Sequence, residues 1–174
     1  MKTKCLILVL FFVATLNLIS KEDKCHSAKN LIVSNFWTLL PTDNVTFYDI
    51  QYHRKLTCNN TLGGEFKLPA NTNISGYSLG VEFRHYFFAD AMDGFYISPG
   101  LAQIKLQEKG VEEKVEVYAF NFLAGYSVIF GEHFTFDGGI GLTYNTGPYL
   151  QKQTLQAGYS NTLPNIRIAF GWAF

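Results

Sequence analysis

Apolar and polar residues alternate with a period of two along most of this chain. The clearest stretch is the last, Leu163–Phe174, reading LPNIRIAFGWAF. Ile166, Ile168, Phe170, Trp172 and Phe174 share one parity, while Asn165, Arg167, Ala169, Gly171 and Ala173 share the other. Period two is the mark of a β-strand with two unlike faces. Seven more segments repeat it, at about Ser27–Leu40, Val45–Leu56, Thr61–Leu68, Tyr77–Phe88, Gly94–Leu106, Lys114–Phe130 and Phe134–Asn145. Turn-forming stretches separate them, among them Pro41-Thr42-Asp43-Asn44, Ala89–Asp93 and Gly131-Glu132-His133. The spacing predicts eight strands. Pro99, inside the fifth, removes a ladder donor and predicts a bulge or kink.

One parity is bulky and apolar: Leu31 and Val33 in the first segment, Tyr48, Ile50 and Tyr52 in the second, Phe120 and Phe122 in the sixth. The other carries Asp49, Lys55, Glu65, Lys67, Glu82, Arg84, Asp137 and Arg167, four acids and four bases. Eight strands close into a barrel that side chains can just fill. A balanced set of charges inside would lock into an ion-pair network, because buried charges need partners. The bulky face would then point outward. With the chain stopping on Phe174, this fits staves that meet lipid. The expected fold is all-β, an eight-stranded antiparallel up-and-down transmembrane β-barrel. Tyr77, Tyr118, Tyr126, Tyr144, Trp37 and Trp172 read as interfacial girdle residues.

Composition supports this. Phe numbers 16, Tyr 10 and Gly 15, and charged residues make up only 16%. Lys+Arg and Asp+Glu both number 14, so no basic excess points to nucleic acid. Lys2 and Lys4 precede an apolar run, Cys5–Leu16, too short to span a bilayer as a helix. Residues 1–20 therefore read as an export signal and 21–174 as the barrel domain. Export leaves Cys25 and Cys58, a pair suited to a disulfide in an oxidising compartment. If the first hairpin turns on Pro41-Thr42, antiparallel partners sum to about 83, as Cys25 and Cys58 do. With the N-terminus in the periplasm, the turns after strands two, four and six fall on that side and are short. Those after strands three, five and seven are longer, with the loop after strand one the exception, the asymmetry of outer-membrane barrels.

Glu82-Phe-Arg-His-Tyr-Phe87, followed by Gly94-Phe-Tyr-Ile-Ser-Pro99-Gly, resembles the mid-barrel signature of small bacterial outer-membrane β-barrel proteins, eight-stranded and of the opacity/OmpA-like type. That resemblance implies outer-membrane insertion and brings no established activity. The terminal Phe170, Trp172 and Phe174 resemble the signal such barrels present to the barrel assembly machinery. The expected partners are outer-membrane lipid, that machinery, and an unknown extracellular partner of the loops, chiefly Thr146–Thr162.

Two other functions compete. A soluble lipocalin-like barrel would bind an apolar ligand inside, but requires apolar residues inward. Asn35-Phe-Trp37 also lacks the glycine of the lipocalin Gly-x-Trp signature. A lipid-modifying hydrolase needs a nucleophile beside a base with a third group orienting it. His85 and Ser98 fall on opposite parities, and His53 shares a face with Asp49 but with no evident serine. His26 and His133 add no constellation. No catalytic, cofactor or metal site is expected, since no ligand spacing clusters. Asn44, Asn59 and Asn73 begin sequons that carry no weight in a bacterial exported chain.

Overall fold

A computed structural model describes residues 28–39, 46–70, 73–87, 91–110, 112, 114–146 and 162–174. The strands are β1 (Asn30–Leu39), β2 (Thr46–Thr57), β3 (Asn60–Pro69), β4 (Ile74–Phe87), β5 (Gly94–Glu108), β6 (Lys114–Phe130), β7 (Phe134–Thr146) and β8 (Thr162–Ala173). Each pairs antiparallel with the next, and β8 pairs with β1 to close the barrel. The alternation along each strand decides this: a sheet with one charged face and one apolar face cannot bury both in water. Closure hides the charged face and leaves no unpaired edge. β4 begins three residues earlier than expected, and β5 runs two residues further.

The seam between β1 and β8 is short, running from Leu31↔Ala173 to Ser34↔Phe170. The chain end reinforces it. Lys29 N and Asn30 N both donate to Phe174 O, at 2.9 and 2.7 Å, and Phe174 N donates to Asn30 O at 2.8 Å. Ala173 N donates to His133 O at 2.7 Å, and the His133 ring stacks on Trp172 at 4.9 Å. The last residue is thus tied to β1, and its neighbours to the β6–β7 turn.

Three expectations are corrected. In the first hairpin the partners sum to 84, as in Asn30↔Arg54, and shift beyond Asn35 to Thr38↔Phe47. The sums thus exceed the 83 on which the Cys25–Cys58 arithmetic rested. Cys25, the export signal, the Pro41–Asn44 turn and most of Thr146–Thr162 lie outside the described residues. Around Pro99 no bulge forms. Partner sums hold at 182 from Glu82↔Gly100 to His85↔Ile97, and the β6 ladder runs unshifted through Pro99↔Phe122. The proline faces outward there, and the β4–β5 ladder is interrupted at Phe83 and Arg84, opposite Pro99 and Ser98, without a change of register.

The third correction concerns β1. Its Leu31 and Val33 point inward and are fully buried, while Ile32 is outside. The reason lies in the β4–β5 turn. Met92 is fully buried at a positive φ of 79°, and it packs with Ala28, Leu31, Val33, Ala169 and Ala173. Ala91 N donates to Cys58 O at 2.5 Å, fixing this turn to the β2–β3 turn. One end of the barrel is therefore stoppered by its own turn. The stopper is apolar, so the inner side of β1 facing it is apolar too.

Small residues make room for the large inward ones. Gly125 lies beneath the Tyr96 ring, where an added Cβ would stand 2.5 Å from the phenol oxygen and 2.8 Å from Gly138 O. We expect Gly125→Val to destabilise the barrel by about 1–3 kcal/mol, since the neighbouring backbone cannot yield. Urea unfolding in lipid vesicles, followed by tryptophan fluorescence, would measure it; an unchanged midpoint would contradict the packing described.

Candidate functional site

The inward positions of β4, β7 and β8 bring Glu82, Arg84, Asp137 and Arg167 into one buried cluster, exposed by 6, 0, 0 and 5%. Arg84 Nε donates to Glu82 Oε1 at 2.6 Å, its Nη1 to Asp137 Oδ2 at 2.6 Å, and its Nη2 to Gln51 Oε1 at 3.3 Å. Arg167 grips Glu82 with two nitrogens, Nη1 to Oε1 at 2.8 Å and Nη2 to Oε2 at 2.5 Å. Tyr96 OH donates to the free oxygen of Asp137 at 2.8 Å, and the Arg84 guanidinium lies 4.7 Å from the centre of the Tyr96 ring. Two acids thus meet two guanidinium groups, each nitrogen of Arg84 finding an acceptor. Planar guanidinium supplies several fixed donors, which a lysine could not match.

A second layer lies further from the stoppered end. Lys67 Nζ is 3.1 Å from Glu65 Oε2 and 4.0 Å from Asp49 Oδ2. Gln51 Nε2 donates to Asp49 Oδ2 at 2.8 Å, so Gln51 links this layer to Arg84. Lys55 is half-buried near the β2–β3 turn, opposite Thr61. Beyond the second layer is a cavity of about 30 Å³ between Phe47, Glu65, Lys67, Ser78, Asn121 and Asn165.

Tyr96 and Gln51 were absent from the expected network, and both complete it. Their inward parity was visible in the alternation, and a glycine opposite Tyr96 (Gly125) was the further signal. Among the described residues, the histidines do not assemble a catalytic group. His85 turns outward and meets Asn60 Oδ1 at 2.8 Å, whereas Ser98 is buried inside. His53 is buried beside Gln51, its Nε2 3.4 Å from Oε1. Among the described residues, no group of three or more His, Cys, Asp and Glu could hold a metal ion.

Outside, the surface is apolar. Ile50, Leu79, Val81, Leu101, Phe122, Leu142 and Ile168 are each about half-exposed, and Ile140 is 70% exposed. Tyr118 and Tyr144 lie outward toward one end; Tyr126, Trp172, Phe130 and Phe134 lie outward toward the other. Phe170, Trp172 and Phe174 belong to this outer face. The side chain of Trp37 lies outside the described set. The lipocalin-like reading needed apolar residues inside, and the interior carries Arg84, Glu82 and Asp137 instead, so that reading falls.

No family model matches the sequence, and no curated protein does. Among solved structures, the N-terminal β-barrel domain of Pseudomonas aeruginosa OprF is similar, with a TM-score of 0.62 at 15% identity. The match covers 84% of this chain and 98% of that one. The likeness is one of fold.

Cutting one member out of the cluster strands the others without water. We expect Arg84→Met to cost about 3–5 kcal/mol, because Asp137 and Glu82 lose a buried partner. Replacing Glu82 and Arg167 together by Met and Leu should cost less than either single change. Equilibrium unfolding of Arg84→Met, the two single replacements and the double one would check the order; additive losses would refute the coupling.

Proposed function

We propose that this chain is a small integral barrel of the bacterial outer membrane. Its interior is plugged by the charge network, its role is structural or surface-interacting, and it carries out no catalysis. One observation carries the reading: a closed barrel with ion pairs inside and a continuous apolar, aromatic-edged belt outside. Apolar area on that scale is rare on a protein that meets water all round. In lipid the same belt is the favourable face, and closure satisfies the backbone. The resemblance of the Glu82–Phe87 and Gly94–Gly100 segments to small outer-membrane barrels, and the fold shared with the OprF domain, support the same place.

In this reading residues 1–20 direct export, and the C-terminal strand is read by the barrel assembly machinery through Phe170, Trp172 and Phe174. Both chain ends and the β2–β3, β4–β5 and β6–β7 turns face the periplasm. The longer connections at the other end, Thr146–Thr162 above all, contact an extracellular partner. A Cys25–Cys58 disulfide then stands in an oxidising compartment. Its support is that Cys58 is not a free thiol, and that β1 and the β2 end approaching Cys58 are tied by Lys55 N donating to Lys29 O at 2.9 Å. Labelling of two thiols in unfolded, unreduced protein would exclude the bridge.

The test is fractionation of the processed protein with cold and boiled gel mobility. Recovery in the outer membrane with a heat-dependent shift is expected; soluble recovery without detergent would overturn the reading. Phe122→Arg, at an outward position 55% exposed, sharpens it. In a bilayer that change costs about 2–4 kcal/mol near the midplane, whereas on a watered surface it would be close to neutral. Trp172→Asp should reduce the folded barrel recovered from membranes, and normal recovery would count against the C-terminal signal.

A further inference from the structure

The outward wall carries its charges near the two ends, and they are answered differently. Toward the end with the longer connections, Lys105 Nζ stands 4.0 Å from Glu116 Oε1. Gln103 Nε2 and the Tyr118 hydroxyl donate to the same oxygen. Toward the stoppered end the basic group on the wall is Arg54. It shares the outward parity of β2 with Tyr52 and Leu56, and it is exposed. Among the described residues, no carboxylate or carbonyl accepts from its guanidinium.

The surroundings of Arg54 are apolar. Leu62 stands directly opposite on β3, and Tyr52, Leu56 and Leu62 are each about half-exposed on the same wall. Asn30, its partner on β1, is already engaged: Oδ1 takes the Tyr52 hydroxyl at 2.7 Å, and Nδ2 donates to Phe174 O at 3.4 Å. β2 ends at Thr57, so Arg54 lies three residues, about 10 Å of strand, from the end. A long side chain at that depth bends outward to the level of lipid head groups. Its planar fork of donors matches the paired oxygens of a phosphate. One step further into the wall, Gly64 faces outward between Tyr52 and Val81. A Cβ added there would meet only Gly80 O, at 3.8 Å. The missing side chain leaves a notch between Leu62 and Phe66, next to Arg54.

We propose that Arg54 and the notch at Gly64 form a binding site for one anionic phospholipid of the leaflet at the stoppered end. The guanidinium grips the phosphodiester, and the upper part of an acyl chain lies over Gly64 between Leu62 and Phe66. The head group is anionic because Arg54 is a cation with no acid beside it among the described residues, unlike Lys105 at the other end. The inference rests on the outer-membrane reading and names the lipid class that this rim takes.

The experiment uses the full processed chain folded in nonionic micelles and mixed with phosphatidylglycerol, phosphatidylcholine or inorganic phosphate. Native mass spectrometry counts what stays on the barrel. We expect one phosphatidylglycerol to be held about fivefold more tightly than phosphatidylcholine, the gain of one basic group meeting a negative head. Arg54→Gln should bring the two lipids level, while Lys105→Gln should leave the preference as it is. Gly64→Leu fills the notch and should weaken both lipids, which keeps the proposal testable if Arg54→Gln fails to fold. Equal retention of the two lipids by the parent protein would overturn the site. So would a preference undiminished in Arg54→Gln, a loss as large in Lys105→Gln, unchanged retention in Gly64→Leu, or retention of phosphate without lipid. Binding is read in micelles and location by fractionation, so a chain recovered outside the membrane overturns the location whatever the micelles show.

Discussion

A guanidinium sealed from water must find acceptors for its nitrogens, and Arg84 is sealed completely. Glu82, Asp137 and Gln51 take its three nitrogens, and Tyr96 covers its face. These partners come from β2, β4, β5 and β7, so the arrangement exists only when the sheet is closed. The same pairing makes closure tolerable, because an interior with this many charges would be untenable unpaired. Arg167 on β8, gripping Glu82 on β4, ties opposite walls of the barrel through its centre. Closure and pairing are thus two sides of one constraint.

That constraint accounts for where small residues fall. Room for Tyr96 comes from Gly125, and room for Glu65 comes from Gly80. It also explains the one strand that departs from the pattern. Toward the stoppered end the charges give way to Met92, Leu31 and Val33, an apolar seal that needs no hydrogen bonds. The interior is therefore graded: an apolar stopper, a neutral ion-pair layer, then a layer in which Asp49 and Glu65 share Lys67.

The chain end belongs to the same economy of unsatisfied groups. β8 ends in a strand whose backbone would be an open edge, and Phe174 bonds back to Asn30 and Lys29 instead. Trp172 is braced by His133 from the β6–β7 turn, so the outward aromatics of the last strand are presented in a fixed order. A short ladder between β1 and β8 is thereby made firm at the end where Lys29 and Phe174 meet.

Much of this was legible in the sequence. Period two set the strands and their inner and outer faces, because side-chain direction along a strand is a local property. It placed Glu82, Arg84, Asp137 and Arg167 on one interior surface and Phe170, Trp172 and Phe174 on the other. Register was less legible: the β1–β2 partner sum is 84 as far as Asn35 and 85 beyond the shift to Thr38, which alternation does not encode. The inversion of β1 was hidden because its reason, Met92, arrives from a turn some sixty residues later. Alternation by itself determined an eight-stranded barrel with charges in and aromatics out. Only the tertiary structure decided which acid meets which base, for those contacts cross the barrel between strands far apart in sequence, and their geometry follows from how the sheet closes.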